Sequence, residues 1–292
     1  MGLKSEANDW AELRVDLHAH TLASDGRLSL QQLISRAVDK GLDILAVTDH
    51  DTTRSLAEAH SIPPGLKLLH GVEISCAWQN KELHVLGLGI DIGCEALQEK
   101  LRQQVQKRRE KAFKIAEKLE RAQVTGSIAM VEAFEPSQVI CRTHFMRFLL
   151  EKNVVPDGNR AFKRYLGRNG KAYVKSEWMD MHEAIDAIKQ AGGCAVLAHP
   201  TRYGFSNGKL SLLLEEFKEA GGIGLELAYP SLTPDKKMTL QRFADQFGLY
   251  ASLGSDFHDP STPWTELGRL EKIPRSCLPI WQRPEVYQGL HG

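Results

Sequence analysis

The chain has 292 residues, of which 42% are hydrophobic and 25% are charged, a composition typical of globular proteins. Lys plus Arg and Asp plus Glu both number 37, so the net charge of zero disfavours a uniformly basic nucleic-acid-binding protein. There is no apolar run of about 18 residues, the length of a membrane span, and no apolar secretion-signal core near the N-terminus. The five cysteines form no CxxC pair, which is typical of reduced thiols, so we expect a cytoplasmic protein.

Strand and helix signals alternate in the first ninety residues and again from about residue 176. Short apolar runs predict seven strands, at 15–17, 44–47, 66–69, 83–90, 195–198, 224–227 and 249–253. Amphipathic spacing predicts helices at 29–40, 180–191, 209–220 and 234–247. The first of these has Ser29 as its N-cap and Gly41 as its stop. Strands separated by helices are typical of βαβ units, and seven strands favour closure into an α/β barrel.

The segment 95–175 interrupts this alternation and contains helical signals only, at 95–123, 143–152 and 159–166. From Lys100 to Lys175 there are eighteen Lys and Arg against seven Asp and Glu, a net charge of +11. The rest of the chain carries the opposite charge, so the neutral total conceals a basic insertion in an acidic barrel. We therefore predict a discontinuous barrel at 13–94 and 176–270, a basic helical insertion at 95–175 and a C-terminal tail at 271–292.

Histidines and carboxylates occur where the predicted strands end. His18 and His20 follow the first strand and, two residues apart on extended backbone, point to the same side. The others are Asp49, His50 and Asp51 after the second strand, Glu73 after the third, His84 within the fourth, His199 after the fifth, and Asp256 and His258 after the last. Because the carboxyl ends of barrel strands converge on one mouth, we expect these side chains to meet there. So many ligands exceed the needs of one zinc ion and suit two or three divalent ions with carboxylate bridges.

These motifs resemble those of the Polymerase and Histidinol Phosphatase (PHP) family. They are DLHAHTLASDG at 16–26, TDHD at 48–51, GVE at 71–73, LAHP at 197–200 and GSDFH at 254–258. The resemblance implies a distorted, amidohydrolase-like (β/α)7 barrel with three divalent ions, of which we expect manganese first and zinc or iron as alternatives. It implies that the first ion is held by His18, His20, Glu73 and Asp256, the second by Glu73, His84 and His199, and the third by Asp25, His50 and His258.

Further motifs are similar to the TrpH-like subgroup, which includes RNase AM and the 3′,5′-nucleoside bisphosphate phosphatases. Asp25 stands where some PHP enzymes have histidine, and RTHF at 142–145, GKAYV at 170–174 and HPTRY at 199–203 also agree. The subgroup resemblance implies conversion of 3′-phosphoadenosine 5′-phosphate to AMP and 5′→3′ exonucleolytic trimming of RNA. Nucleoside bisphosphates and short or 5′-monophosphorylated RNA would be the substrates, and we expect no membrane association and no obligate protein partner.

A phosphoester hydrolase of this kind needs a nucleophile and a second anion site. Adjacent divalent ions lower the pKa of bound water, so we expect a metal-bound hydroxide as the nucleophile. Candidates for binding the second phosphate are Arg142, Thr143, His144, Lys171 and Arg202. Arg202, three residues after His199, is favoured as a catalytic group, and His144 is a candidate general acid.

Two alternative functions stay open at this point. A small-metabolite phosphatase such as histidinol phosphatase would need no basic insertion, since its substrate carries one phosphate. An inactive, RNA-binding PHP module would not need the complete set of ligands. The basic cluster 107–109 is either a solvated helix face or part of a groove for RNA, while Asp16 and Asp51 are expected to orient the imidazoles beside them.

Overall fold

The computed structural model describes residues 13–59 and 61–289. Positions 1–12, on which the expectation of no secretion signal rests, lie outside the described residues, as do positions 290–292 of the predicted tail. Within the described ranges, no helix is long and apolar enough to cross a membrane.

Strands and helices follow one another largely as the apolar pattern predicts. The strands of the described residues are β1 (Val15–Asp16), β2 (Ile44–Val47), β3 (Lys67–Trp78), β4 (Lys81–Leu88), β5 (Met179–Asp180), β6 (Cys194–Leu197), β7 (Gly224–Ala228) and β8 (Tyr250–Leu253). The α-helices are α1 (Leu30–Asp39), α2 (Glu95–Arg121), α3 (Ser127–Glu132), α4 (Arg142–Glu151), α5 (Gly158–Ala161), α6 (Met181–Gln190), α7 (Asn207–Glu219), α8 (Pro234–Phe247) and α9 (Pro284–Gly289).

The strands form one sheet in the order β1, β2, β3, β4, β6, β7 and β8, with β5 paired to β3. Both β1 to β3 and β6 to β8 run parallel to their neighbours. Backbone hydrogen bonds then join the two ends of the sheet, from Leu17 N–H to Leu253 O at 3.1 Å and from His20 N–H to Phe257 O at 2.9 Å. The predicted α/β barrel is therefore confirmed as a nearly closed sheet surrounded by helices.

The middle of the sheet differs from the predicted parallel strands. β3 extends to Trp78 and forms an antiparallel hairpin with β4, which is also antiparallel to β6. Gln79 and Asn80 connect the hairpin with positive φ angles, as a two-residue turn between twisted strands requires. Most of β3 is buried without polar alternation, so its sequence pattern predicts only its first part. Glu73 consequently lies inside β3, not after a strand, and the two-residue β5 is not predicted at all.

The segment between β4 and β5 is helical, as predicted, and has a hydrophobic core of its own. The first turns of α2 bury Leu97 and Leu101 in the core of the barrel. Further along, Ile115 and Leu119 pack in a separate core with Phe145 and other residues of the insertion. The long helix thus joins the two cores, and the predicted division of the chain at residue 95 stays a prediction.

A partly buried ion pair joins the segment after β8 to helix α1. Arg36 Nε and Nη2 donate to the two carboxylate oxygens of Glu266 at 2.8 and 2.6 Å, and Lys40 Nζ lies 3.0 Å from Oε2. Burial raises the pKa of Glu266, but the hydrogen bonds from Arg36 and Lys40 outweigh it and lower that pKa to about 2.

We expect Glu266→Gln to lower the free energy of unfolding at pH 7 by about 1 kcal/mol, because the bidentate charge pair is lost. Since the pKa is lower in the folded chain than in the unfolded chain, this stabilisation is present above about pH 4 and disappears as the pH falls towards 2. Urea denaturation of metal-free protein at pH 7 and pH 2.5 measures it. Glu271→Gln, whose carboxylate is 73% exposed, is the matched control. An equal difference at both pH values would contradict the prediction.

Candidate metal centre and substrate cavity

The structure brings the nine predicted metal ligands together at the mouth of the barrel. They are His18, His20, Asp25, His50, Glu73, His84, His199, Asp256 and His258, all buried or half-buried. Three overlapping groups of donor atoms, each compact enough for one cation, contain eight of them, and the ninth, His199, contacts Glu73. The convergence of strand ends expected from the sequence therefore occurs.

The first group has four donor atoms around one point. His18 Nε2 lies 3.3 Å from Glu73 Oε2 and 3.4 Å from Asp256 Oδ1. His20 Nε2 lies 3.3 and 3.2 Å from the same two oxygens. Ligand atoms that surround an ion tetrahedrally at about 2.1 Å are about 3.4 Å apart, so this group has the spacing of a four-ligand site.

Glu73 lies between the first group and the other histidines. Its Oε2 is 2.9 Å from His50 Nδ1, while its Oε1 is 2.8 Å from His84 Nδ1 and 3.0 Å from His199 Nε2. The two oxygens thus face different imidazoles, as a bridging carboxylate must. The compact group here consists of His50, Glu73 and His84, whereas the resemblance implies His199 in place of His50.

The remaining group surrounds Asp25. Its Oδ1 lies 3.1 Å from His258 Nε2, 3.9 Å from His50 Nε2 and 4.0 Å from His20 Nδ1. This is the set that the resemblance implies for the third ion, with His20 added. Asp25 Oδ2 accepts a hydrogen bond of 2.7 Å from Thr143 Oγ1 of α4, so the insertion contacts the centre directly.

Several donor atoms of the centre are buried without hydrogen-bond partners among the described residues. They are His18 Nε2, His20 Nε2, Asp25 Oδ1, His50 Nδ1, Glu73 Oε2 and His199 Nδ1. Burial raises the pKa of Glu73, but the surrounding imidazoles hold it well below its usual value, so the carboxylate is ionised. Buried polar atoms that lack partners are costly, and divalent cations would satisfy those that belong to the three donor groups. The residues present therefore fit a metal centre.

The backbone turns sharply at two of the candidate metal ligands. His199 and Asp256 have φ angles of 30° and 52°, in the left-handed region that residues other than glycine rarely adopt. Gly254 allows the end of β8 to approach β1, because a Cβ at this position would lie 2.1 Å from the Cβ of His18. The glycine of the GSDFH motif is thus required by this contact.

A buried carboxylate that the sequence analysis missed orients two ligands. Glu226 of β7 has Oε1 2.9 Å from His18 Nδ1, and its Oε2 accepts the backbone N–H of His199 at 2.5 Å. A carboxylate that holds the far nitrogen of a metal-binding imidazole fixes the tautomer and the orientation of the ring. The sequence pattern that could have identified Glu226 is a glutamate within an otherwise apolar strand, Gly224–Ala228, because a buried charged side chain needs a partner.

The prediction that Asp16 and Asp51 orient imidazoles is wrong. Asp16 accepts backbone N–H groups, from His18 and Ser255 at one oxygen and from Gly268 at the other. Asp51 accepts the backbone N–H of Ser75 at 2.8 Å and pairs with the side chain of Arg108 at 2.6 Å. Both carboxylates therefore hold neighbouring loops and strands in place.

A cavity of about 110 Å³ lies between the metal centre and the insertion. The centre contributes Asp25, His50 and His84 to its wall, and the insertion and the following segment contribute Arg108, Lys111, Arg142, Thr143 and Trp178. Glu82 of β4 also lines it, with Oε1 3.1 Å from Arg142 Nη2 and 3.8 Å from His84 Nε2. Cations of the basic insertion therefore face the metal centre across a small cavity.

Comparison with known proteins decides the family. The chain matches the PHP domain family over residues 16–220. It belongs to the PHP family. It is 42% identical over 278 residues to the 5′-3′ exoribonuclease Rnm of Escherichia coli, with 94% of each chain covered. It is 38% identical over 276 residues to the 3′,5′-nucleoside bisphosphate phosphatase of Chromobacterium violaceum, with 93% of this chain and 96% of that one covered.

The solved structures agree with the PHP assignment. An amidohydrolase from Chromobacterium violaceum, solved with bound sulfate and no metal, has a TM-score of 0.87 to this chain and 38% sequence identity. The alignment covers 94% of this chain and 96% of that one. The family resemblance, the barrel fold and the hydrolase class expected from the motifs are confirmed. PHP phosphoesterases are metal-dependent, in agreement with the donor cluster of this chain.

The candidate anion-binding residues of this PHP enzyme differ in their positions. Arg142 and Thr143 line the cavity, and Arg202 forms an ion pair with Asp256 of the metal centre. His144 accepts the backbone N–H of Cys141 at Nδ1, 2.9 Å away, and burial lowers its pKa to about 4, so Nε2 carries its only proton. Lys171 is exposed and does not line the cavity, so the structure does not bring it to the site.

Lys111 and Trp178 are cavity residues that the sequence analysis missed. Lys111 Nζ donates to Ser176, lies 4.7 Å from the centroid of the Trp178 ring and is 4.0 Å from Glu82 Oε2. Burial lowers the pKa of Lys111 to about 8. Trp178 Nε1 is buried without a hydrogen-bond partner among the described residues. Arg108 and Lys111 are three residues apart on one helix and so share a face. This spacing is the sequence pattern that could have identified Lys111.

The basic cluster 107–109 was expected to be either a solvated helix face or part of a groove for RNA, and neither interpretation describes its central residue, Arg108. Arg108 is buried, with its guanidinium bound to Asp51, Ser75 and Cys141 and stacked 4.9 Å from the centroid of the Trp178 ring. It is thus neither solvated nor free to bind RNA along an open groove, and it connects α2 to the barrel instead.

Proposed function

We propose that this PHP enzyme hydrolyses the P–O3′ bond of nucleotides that carry a 5′-phosphate. From a 3′,5′-nucleoside bisphosphate, the reaction releases inorganic phosphate and leaves the nucleoside 5′-monophosphate. From 5′-monophosphorylated RNA, it releases the first nucleotide and leaves a shorter RNA that again has a 5′-phosphate. The same bond breaks in both substrates, and the names of the two relatives, an exoribonuclease and a bisphosphate phosphatase, support this pairing.

The observation that carries the proposal is the position of the cationic cavity directly beside the donor cluster. We propose three divalent ions, manganese first, held by the nine ligands in the sets that the resemblance implies. When bound, such ions lower the pKa of a water that serves as nucleophile, and they neutralise the charge that develops on the phosphoryl oxygens.

Residues of the chain bind the two phosphates on opposite sides of the centre. Arg202, paired with Asp256, contacts the reacting phosphate, since a guanidinium can bind two phosphate oxygens at once. Lys111 and Arg142 bind the 5′-phosphate in the cavity, and Glu82 holds both cations in place. His144 does not line the cavity, and with a pKa of about 4 its imidazole is neutral, so we assign it no proton transfer and leave the proton on O3′ to water.

A phosphatase for small monophosphates fits the structure less well. A substrate with one phosphate would use the metal centre alone and leave the cations of the cavity without an anion. The basic insertion and its cavity would then have no function in binding. We also propose a cytoplasmic location, which accords with nucleotide and RNA substrates.

The test is turnover by manganese-loaded protein of 3′,5′-bisphosphoadenosine, a 5′-monophosphorylated RNA oligomer and histidinol phosphate. We expect phosphate release from the first and nucleotide release from the second, at rates far above that with the third. Turnover of histidinol phosphate alone would overturn the proposal. Bound metal without turnover of any substrate would indicate the inactive, RNA-binding alternative, and metal analysis of the loaded protein measures the expected three ions per chain.

We expect Lys111→Met to raise KM for 3′,5′-bisphosphoadenosine roughly tenfold or more, the cost of losing one charged hydrogen bond. The increase should be smaller for adenosine 3′-monophosphate, which lacks the 5′-phosphate. Lys114→Met, which removes an exposed charge from the same helix, is the matched control. Equal effects of Lys111→Met on both substrates would contradict the assignment of Lys111 to the 5′-phosphate.

The same assignment predicts a pH dependence. Because the pKa of Lys111 is about 8, its positive charge is lost as the pH rises through that value, and KM for the bisphosphate should increase. The charged groups that face Lys111 are Glu82, Arg142 and Arg108, with the Cys141 thiol nearby. Lys111→Arg should remove the increase between pH 7.5 and 9, since arginine keeps its charge throughout. A wild-type KM that is constant over this range would contradict the role.

A further inference from the structure

A second cavity, of about 220 Å³, lies at the mouth of the barrel outside the metal centre. Its wall comes from the end of β7, the first turn of α8 and the segment that follows β8. Its aromatic and charged lining residues are Tyr229, Lys237, Trp264, Arg269 and Glu271. Because carboxyl ends of parallel strands supply it, this cavity opens on the same side of the barrel as the metal centre.

Tyr229 connects this second cavity to the metal centre. The guanidinium of Arg202 lies 5.5 Å from the centroid of the Tyr229 ring and is paired with Asp256. The Tyr229 hydroxyl donates to Thr201 Oγ1 at 2.8 Å, which fixes the ring in place. The first cavity is lined by Asp25, whereas the second is linked to the centre through Tyr229 and Arg202, which is paired with Asp256.

Trp264 is held in an exposed position beside this cavity. Its side chain is 63% exposed, although it follows the ligand His258 by only six residues. The short turn that carries it is fixed by a 2.8 Å contact between the hydroxyls of Thr262 and Thr265, and by Arg269 Nη1, which donates to Pro263 O at 2.8 Å. A large aromatic ring on a fixed turn can stack on a planar ligand with little loss of conformational entropy.

We propose that the exposed ring of Trp264 is a stacking surface for RNA beyond the bond that is cleaved, while Tyr229, which is 5% exposed, forms the inner wall of the cavity between it and Arg202. The inference rests on the proposed function. There, water forms a bond to phosphorus, the P–O3′ bond breaks and O3′ takes a proton. The phosphate therefore stays with the remaining RNA, which must extend from the centre on the side away from the first nucleotide. That side is the one where Arg202 leads to Tyr229.

The chemistry of this surface suits a single-stranded nucleic acid. Stacking of bases on aromatic side chains tolerates any sequence, and nearby cations bind the backbone. Lys237 Nζ lies 2.5 Å from Glu271 Oε2, so that pair is neutral and Arg269 supplies the net positive charge. A free bisphosphate has no nucleotide beyond the reacting phosphate and would not reach Trp264. The surface therefore serves RNA and not the mononucleotide.

The experiment compares 5′-monophosphorylated oligoribonucleotides of two to six nucleotides with 3′,5′-bisphosphoadenosine, using manganese-loaded full-length protein. For the wild type we expect kcat/KM to rise with RNA length. Trp264→Ala should lower the ratio of kcat/KM for the hexamer to that for the bisphosphate roughly tenfold, as the loss of one base stack predicts. Trp264→Phe should retain most of the wild-type ratio, because phenylalanine also stacks on a base. Leu278→Ala, which truncates another side chain that is 60% exposed, is the control.

The outcomes separate this inference from the proposed function. A wild-type protein that cleaves neither substrate contradicts the proposed function itself. A wild-type protein that cleaves both, together with a Trp264→Ala variant of unchanged length dependence, overturns the stacking surface alone. If Trp264→Ala instead lowers the molar mass seen by light scattering and leaves the length dependence intact, the ring contacts a second copy of the chain, and the inference is also overturned.

Discussion

Glu73→Gln is expected to lower kcat/KM for 3′,5′-bisphosphoadenosine by roughly a thousandfold or more, and to lower the number of metal ions per chain. Glu73 Oε2 faces His18, His20 and His50, while Oε1 faces His84 and His199. The amide removes the charge and replaces one of these oxygens by an N–H₂ group that cannot bind a cation. Losing several kcal/mol of charge stabilisation at the reacting phosphate gives a loss of this size.

Metal analysis and phosphate-release kinetics on the same samples measure both effects. Glu82→Gln is the matched control for metal content, because Glu82 lies 3.8 Å from His84 yet belongs to none of the donor groups. We expect this control to bind as much metal as the wild type. A Glu73→Gln variant that keeps both its metal content and its rate would exclude Glu73 as the bridging ligand.

The positions of most candidate metal ligands could be predicted because they follow from local chain geometry. His18 and His20 share one side of an extended segment, and His50, His199 and His258 each follow a strand within a few residues. Where neighbouring strands run parallel, as β1 to β3 and β6 to β8 do, such positions converge at one edge of the sheet. The convergence of these side chains could therefore be predicted from spacing and strand order, whereas Asp25 entered the candidate set only through the resemblance to the PHP family, and the assignment of the nine residues as metal ligands stays a prediction.

The partners of buried charges could not be predicted, because they depend on tertiary packing. Glu226 binds His18 across 208 positions of the chain, and Arg108 binds Asp51 across 57. Lys171 was predicted to bind phosphate because of its motif, but it is exposed and does not line the cavity. A motif identifies residues in the sequence and does not determine where their side chains point. β3 was predicted too short for a related reason, because burial on both faces removes the alternation that indicates a strand.

Arg108→Met is expected to lower the free energy of unfolding by about 3–5 kcal/mol, the usual cost of removing one partner of a buried ion pair. Arg108 Nε lies 2.6 Å from Asp51 Oδ2, and both side chains are almost fully buried, so the variant leaves the Asp51 carboxylate without its counter-charge. Urea denaturation of metal-free protein measures the change. Arg109→Met, which removes a hydrogen bond of 3.0 Å to Phe134 O from the neighbouring position, should cost only about 1 kcal/mol.

The double variant Asp51→Asn with Arg108→Met tests the electrostatic cause. If the uncompensated carboxylate dominates the cost, the double variant should be more stable than Arg108→Met alone. Additive losses would show that Arg108 acts mainly by packing against Trp178. Because Asp51 follows the ligand His50 directly, the ion pair also connects α2 of the insertion to the metal centre. We therefore expect Arg108→Met to bind metal more weakly, whereas Arg109→Met should not.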